Sequence, residues 1–268
     1  RRNTAAAEEI GYHVLDPDNG ALAVGEGSGP GRMPEPETIL AHCARLLEVP
    51  TALRGRRLVV TAGPTREPID PVRFLSNHSS GKMGVAIASA AWRRGAEVTL
   101  IAGPLDVAVP AGVHAVRVET TAQMRDAVER ALAGADALIM AAAPADFAAA
   151  APSIGKIKKA ELGDTIALTA TDDILVTTRG SRSSACVTVG FALETGDARS
   201  EARRKLADKS LDFIVANDAL EDGAGFAIDT NRVTIVHADG REESLPLQSK
   251  TQVADEILDR VEELLRGR

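Results

Sequence analysis

Apolar positions fall into two regimes along the chain. From residue 57 onward, short apolar runs alternate with longer stretches in which apolar residues recur every three to four positions. That is the pattern of strands alternating with amphipathic helices. The runs predict strands near residues 57–61, 97–101, 114–118, 136–142, 186–192 and 212–216. The helical spacing predicts helices near 82–94, 121–133, 172–180 and 199–210. Such alternation specifies an α/β fold built on a doubly wound, mostly parallel sheet. Toward the C-terminus the pattern changes. Arg232-Val233-Thr234-Ile235-Val236 and Glu243-Ser244-Leu245-Pro246-Leu247 flank Asp239-Gly240, which predicts a C-terminal β-hairpin, and a final amphipathic helix is predicted from Lys250 to Leu265. Before residue 50 the chain has one short apolar run, Tyr12-His13-Val14-Leu15, then a glycine-rich stretch, then Pro34-Glu35-Pro36-Glu37 opening a helix through Glu48. This segment has too little apolar surface for a core of its own, so the expected division is 1–50 and 51–268.

A chain of 268 residues can bury a sizeable core. Its net charge of -7 provides no broad electrostatic reason to bind nucleic acid or a membrane surface, so small-ligand chemistry is expected and basic residues matter only locally. Two cysteines, Cys43 and Cys186, lie far apart without metal-ligand spacing, which points to a reducing compartment and hence the cytoplasm. No apolar run is long enough to span a bilayer, and no basic-then-apolar leader is expected.

The strand ending Leu58-Val59-Val60-Thr61 feeds the turn Ala62-Gly63-Pro64-Thr65, and Ser76-Asn77-His78-Ser79-Ser80-Gly81-Lys82-Met83-Gly84 then opens a helix. Free N–H groups and the positive end of the helix dipole favour an anion there, and Gly81 and Gly84 permit close approach. The run is not a Walker A loop: Ser76 stands where the first glycine belongs and Met83 follows Lys82. Nor is it a dinucleotide fingerprint, because the next strand ends in Ala102-Gly103-Pro104, with no acidic residue to hold a ribose hydroxyl. The topology expected is Rossmann-like without nicotinamide chemistry.

Further candidates sit at strand ends and helix starts. Ala143-Pro144-Ala145-Asp146 follows a strand, so Asp146 can hold a ribose hydroxyl or a phosphate-bound metal, or simply cap a turn. Lys156-Ile157-Lys158-Lys159 lies in a loop and reads equally as solvated surface or as a phosphate contact. Lys205 and Lys209 share a helix face, where a triphosphate would offset their repulsion and Glu201 and Asp208 would do so less specifically. Asp172-Asp173-Ile174-Leu175 starts a helix, and Phe191 is either core or the wall of a base pocket.

Taken in order, residues 62–73, 76–84, 141–146 and 156–159, then Gly190-Phe191-Ala192-Leu193-Glu194-Thr195 and Ala216-Asn217-Asp218, resemble bacterial phosphopantothenoylcysteine synthetase from about residue 57 to the end. That family is usually the C-terminal half of a bifunctional coenzyme A biosynthesis protein, fused to an FMN-dependent decarboxylase. The resemblance implies that residues 1–50 are the end of the decarboxylase half, that FMN belongs to the part not included, and that the ligase occupies 51–268. Val24 stands where the decarboxylase carries a catalytic Cys, and Asp172 and Pro144 depart from the usual synthetase motifs.

The implied reaction is CTP-dependent joining of 4′-phosphopantothenate to L-cysteine through an acyl-cytidylate, assisted by Mg²⁺, in a homodimer that binds neither nucleic acid nor membrane. By resemblance, Asn77 and Lys156 are catalytic, and Arg73, supplied by the neighbouring subunit, binds substrate together with Asn77, Ala142, Ala143 and Asp146. The nucleotide would be held by Gly63, Ser80, Gly81, Met140, Ala141, Ala142, Asp146 and Lys156, and by Asp172, Asp173, Ile174, Leu175, Phe191, Lys205 and Lys209. The family assigns no role to His78. The alternatives are a nucleotide-binding module without turnover and an NAD(P)-dependent oxidoreductase.

Overall fold

A computed structural model describes residues 2–22, 25, 27–49, 51–158, 165–194, 198–218 and 228–268. Ala23, Val24, Lys159, Thr195 and the side chains of Leu193, Glu194 and Asp218 lie outside the described residues. The chain forms two units, Arg1–Val49 and Pro50–Arg268. The first contains α1 (Arg2–Glu9), the hairpin β1 (Asp18–Ala21) and β2 (Ser28–Arg32), and α2 (Pro36–Leu47), with no buried residue in either helix. The predicted helix is present. Tyr12 to Leu15 form no strand; the pairing falls instead on Asp18–Ala21 and Ser28–Arg32, in the polar, glycine-rich stretch that follows.

The second unit follows the predicted alternation. In chain order it runs β3 (Arg57–Ala62), β4 (Arg66–Pro68), β5 (Phe74–Ser76), α3 (Lys82–Arg93), β6 (Glu97–Ala102), β7 (His114–Arg117), α4 (Thr121–Ala131) and β8 (Ala137–Met140). There follow β9 (Phe147–Ala149), β10 (Leu168–Ala170), α5 (Ile174–Thr177), β11 (Val187–Glu194), α6 (Ala198–Lys209) and β12 (Phe213–Asp218). The end comprises β13 (Thr230–Asn231), β14 (Thr234–His237), β15 (Glu242–Ser244), β16 (Gln248–Ser249) and α7 (Lys250–Arg266).

One sheet of eight strands has the order β15-β14-β12-β11-β8-β3-β6-β7. Every neighbouring pair from β7 to β12 is parallel, and β14 and β15 add antiparallel at the edge as the C-terminal hairpin. Numbered by their own succession, the six parallel strands lie in the order 3-2-1-4-5-6, the Rossmann arrangement. The hairpin pairs Ile235 with Glu243, so its strands are shifted from the predicted runs: Arg232 falls outside the first, and the second ends before Leu245-Pro246, where proline cannot donate to a ladder.

Both faces of the sheet are covered. Val59, Leu138, Met140, Ile214 and Ala216 belong to one buried cluster with Met124 and Val128 of α4, Ile174 and Leu175 of α5, and Leu206 of α6. The intervening positions Leu58, Val60, Ile139 and Val215 point to the other face, where α3 and α7 pack on each other and α3 lies against β3 and β6. Burial on both faces explains why these strands read as continuous apolar runs. The helix predicted over 172–180 is shorter. Four residues are α-helical, and a 3-10 turn follows at Arg179–Ser181.

Candidate functional site

The order of the sheet reverses between β3 and β8, so the segments leaving their carboxyl ends diverge and open a crevice. The two exits are tied by a bridge between Pro64 and Ala143, and Ala143 N–H donates to Gly63 O at 2.9 Å. The glycines set how tightly the turns nest. Gly63 has φ +76°, and a Cβ there would meet Pro104 O at 2.6 Å; a Cβ at Gly103 would meet Pro64 O at 1.8 Å. No side chain fits at 103, so the place of a ribose-binding carboxylate is filled by backbone.

From β5 the chain continues through Ser76–Ser80 to Gly81, which caps α3 with φ +75°. Ser80 and Gly81 are buried. Asn77 is exposed and its Nδ2 donates to Pro144 O at 2.8 Å, linking the loop before α3 to the segment after β8. On one side of this loop Arg66, Phe74, Asn77, His78 and Asp106 line a hollow of about 440 Å³. On the other side lies a larger cleft of about 560 Å³, bounded by Asn77, Gly81, Ala141–Pro144 and Asp146, by Phe191, Lys205 and Lys209, and by Asn217, Asn231 and Lys250.

Joined to that cleft through Ala142, Pro144, Asp146, Phe191 and Lys209 is a pocket of about 170 Å³. Its floor is Met140, Ile174 and Leu175, and its rim is Asp146, Thr171, Asp172 and Asp173. Asp173 caps α5 by accepting from Val176 N, and its other oxygen lies 2.9 Å from Lys209 Nζ, so one carboxylate both starts the helix and fixes a cleft lysine. Asp172 pairs with Arg125. Lys205 lies 3.7 Å from Glu201.

Arg73 and Lys156 stand apart from this constellation. Asp70, 3% exposed, accepts from the backbone of Val72, Arg73 and Ile157 and from the Arg73 guanidinium, whose Nη2 approaches Asp70 Oδ2 at 2.5 Å and Ile157 O at 2.7 Å. The Arg73 hydrogen bond holds the Asp70 carboxyl well below the usual carboxylate range, with the backbone donors adding to it against the cost of burial. Lys156 precedes the tethered Ile157 and is itself exposed. Among the described residues it lines none of the three cavities, and neither does Gly63.

Residues 53–265 match the family described as the DNA/pantothenate metabolism flavoprotein C-terminal domain. The chain belongs to this family. Within it, the chain is 45% identical over 264 residues to the Coenzyme A biosynthesis bifunctional protein CoaBC of Bacillus subtilis, covering 97% of this chain and 64% of that protein. The chain thus spans slightly less than two thirds of that relative. Among solved structures, the C-terminal domain of a CoaBC protein is similar with a TM-score of 0.69 and 40% identity, over 81% of this chain and all of that domain. A Cab2 mutant in complex with phosphopantothenate-cysteine shares the fold at a TM-score of 0.64 and 16% identity, covering 87% of this chain and 96% of that one.

For this flavoprotein C-terminal domain, three cleft residues escaped the sequence reading. Asn217 was noted only within a short motif, Lys250 only as a helix start, and Asn231 not at all. β13 and β16 pair over two residues each and set both into the cleft wall. A lysine opening a helix, where a cation opposes the dipole, was the one available signal. Among the described residues no helix is long and apolar enough to cross a membrane.

Proposed function

We propose that this domain joins 4′-phosphopantothenate to L-cysteine at the expense of CTP. The observation that supports it best is the continuity of the small pocket with the lysine-lined cleft at the switch point of the sheet. The 170 Å³ pocket is smaller than the roughly 300–1,000 Å³ of sites that take whole ligands, and so suits one base of a larger molecule. Phe191 and the apolar floor would pack on the ring, and Asp173 and Thr171 would meet its polar edge. Lys205 and Lys209 would face the phosphates, with Lys156 closing from its exposed loop. The shape also disfavours a dinucleotide, since Gly103 leaves no room for an acidic ribose anchor.

Two displacements make up the reaction. A carboxylate oxygen of phosphopantothenate attacks the α-phosphorus, the bond to the bridging oxygen breaks, and pyrophosphate leaves with the electron pair. The cysteine amine then attacks the acyl carbon, the bond to CMP breaks, and a proton is released. Charge builds first on pyrophosphate and then on the acyl oxygen, so the site needs oriented cations and donors more than a strong base. Asn77 would meet the second demand: its Nδ2, which donates to the Pro144 carbonyl at the edge of the cleft, would turn to the acyl oxygen. Among the described residues no three or more His, Cys, Asp or Glu are grouped so as to hold a metal ion, and Asp146 is the carboxylate that lines the cleft. A Mg²⁺ brought by the nucleotide would be held by its phosphates with Asp146, and when bound would spread the triphosphate charge.

Pyrophosphate release, measured with each of the four nucleoside triphosphates in the presence and absence of phosphopantothenate and cysteine, tests this reading. CTP should support release that requires phosphopantothenate, with CMP appearing only when cysteine is added. Binding of CTP with no release under any combination would favour the silent nucleotide module instead.

A further inference from the structure

The segment that carries Asp146 is held by a run of buried polar groups that the reaction itself does not use. Glu67 of β4 is 5% exposed, Thr65 just before that strand is fully buried, and Thr121, the first residue of α4, is 1% exposed. Glu67 Oε1 accepts from Thr121 N at 2.7 Å and from Thr121 Oγ1 at 2.8 Å. Thr121 Oγ1 lies 2.8 Å from Thr65 Oγ1, and the Ala145 N–H donates to Thr65 Oγ1 at 2.9 Å. Ala145 is buried as well, one residue before Asp146.

The order of donors along this run follows from its end. A carboxylate only accepts, and each hydroxyl has one proton to give. Thr121 Oγ1 is 2.8 Å from Glu67 and 3.3 Å from Ala145 O, so its proton goes to the nearer, charged acceptor. Thr121 must then accept from Thr65, and Thr65 from the Ala145 amide, so every hydrogen bond of the run points toward Glu67. On the other side, the Ala145 carbonyl accepts from Thr171 Oγ1 at 2.6 Å, and Asp146 O accepts from Thr171 N at 3.0 Å. The backbone entering Asp146 is thereby fixed at both its N–H and its C=O. Thr65 also reaches the loop before α3, because its carbonyl accepts from Ser76 Oγ at 2.7 Å, next to Asn77. A buried polar network of this kind selects one arrangement more than it adds stability.

We propose that Glu67, acting through Thr121 and Thr65, positions the Pro144–Asp146 segment, and with it the Asp146 carboxylate, for the nucleotide. This deepens the ligase reading and rests on it for the nucleotide. Pro144, Ala145 and Asp146 line the small pocket, and Pro144 and Asp146 also line the cleft, whereas Glu67 lines none of the three cavities. It is therefore a positioning residue, not a catalytic one. Without an acceptor at 67, the Thr121 proton is free to turn to Thr65 Oγ1 or to Ala145 O. The direction of the run is then no longer set, and the segment gains alternatives.

The test uses the whole 268-residue chain. It compares the wild type with Glu67→Met, which keeps the side chain's length without its acceptors, with Glu67→Gln, which keeps an acceptor oxygen, and with the pair Thr65→Val and Thr65→Ser. Ile257→Val, in the buried face of α7, supplies a loss of stability away from the site. Calorimetry would measure binding of each of the four nucleoside triphosphates well below every melting point, and thermal unfolding would be followed alongside. Glu67→Met and Thr65→Val should weaken CTP by about ten- to a hundredfold, the scale of misplacing a contact group, while Glu67→Gln and Thr65→Ser stay within about threefold and Ile257→Val within about twofold. An unchanged affinity in Glu67→Met, with or without a lower melting point, would overturn the proposal and leave the run purely structural. Equal losses in Thr65→Val and Thr65→Ser would also overturn it, since the hydroxyl would then not be what matters. If Glu67→Met does not fold, the Thr65 pair decides. A wild type that binds no triphosphate would end both the proposal and the ligase reading. If the variants weaken binding in the expected order but CTP supports no pyrophosphate release dependent on phosphopantothenate, the ligase reading alone fails.

Discussion

Asp70 shows how one residue can order several. It lies under the turn between β4 and β5, gathers three backbone N–H groups and the Arg73 guanidinium, and through Ile157 fastens the loop that carries Lys156. Because its folded carboxyl titrates below the unfolded value of about 3.9, its contribution is complete above that value and is lost as pH falls toward the folded one. Urea midpoints of the wild type and Asp70→Asn, measured from pH 2 to 8, should therefore differ by a constant amount above about pH 5 and converge below about pH 4. A gap that does not change with acid would show that the carboxylate charge is not what holds the turn. Asp70 and Arg73 stand three positions apart, so their pairing is a local feature of the sequence. The link from Asp70 to Ile157, 87 residues away in sequence, was not legible there, because no local pattern encodes a backbone N–H reached across a fold.

Among the elements, α3 is the most constrained. Gly84, one turn into the helix, lies so close to β3 that a Cβ would meet Thr61 O at 2.5 Å and the Ala62 Cβ at 2.6 Å. Neither neighbour can swing aside, so Gly84→Ala should destabilise the fold by about 1–3 kcal/mol despite alanine's better helix propensity. A calorimetric melting point lowered by roughly 2–4 °C per kcal/mol is expected; an unchanged or raised one would mean that the helix is free to shift on the sheet. The long strands and helices were legible because each repeats its period several times. β4, β5, β9, β10, β13 and β16 have two or three residues each, shorter than one unambiguous repeat, and they form through tertiary closure rather than local preference. That is why Asn231 went unread, while Lys250, at the start of a helix the sequence does mark, was missed because the pattern does not show which cleft that start faces.

For the molecule as a whole, the ligase reading carries an expectation about assembly. In this structure Arg73 is engaged within its own chain, with Asp70 and Ile157 O, whereas the resemblance assigns it to the neighbouring subunit's substrate. The two are separable by mixing. If Arg73 acts across a two-fold interface, a mixed dimer of Arg73→Ala with Asn77→Ala gathers both defects in one site and leaves the other intact. Two nearly inactive preparations, unfolded and refolded together in equal amounts, should then recover roughly a quarter of wild-type ligation. Verified mixed dimers without recovery would place Arg73 in its own chain's site.

The nested turns after β3 and β6 bear on how such a domain can change over time. In a sheet of this order, a single acidic substitution after the second strand is the short route toward binding a dinucleotide. Here that route is blocked, because any side chain at 103 must first displace the Pro64 carbonyl, and with it the bridge to Ala143 that joins the two halves of the sheet. A lineage starting from this backbone would have to rebuild both turns at once, so on the ligase reading its descendants would be steered toward new acyl or amine partners rather than toward hydride transfer.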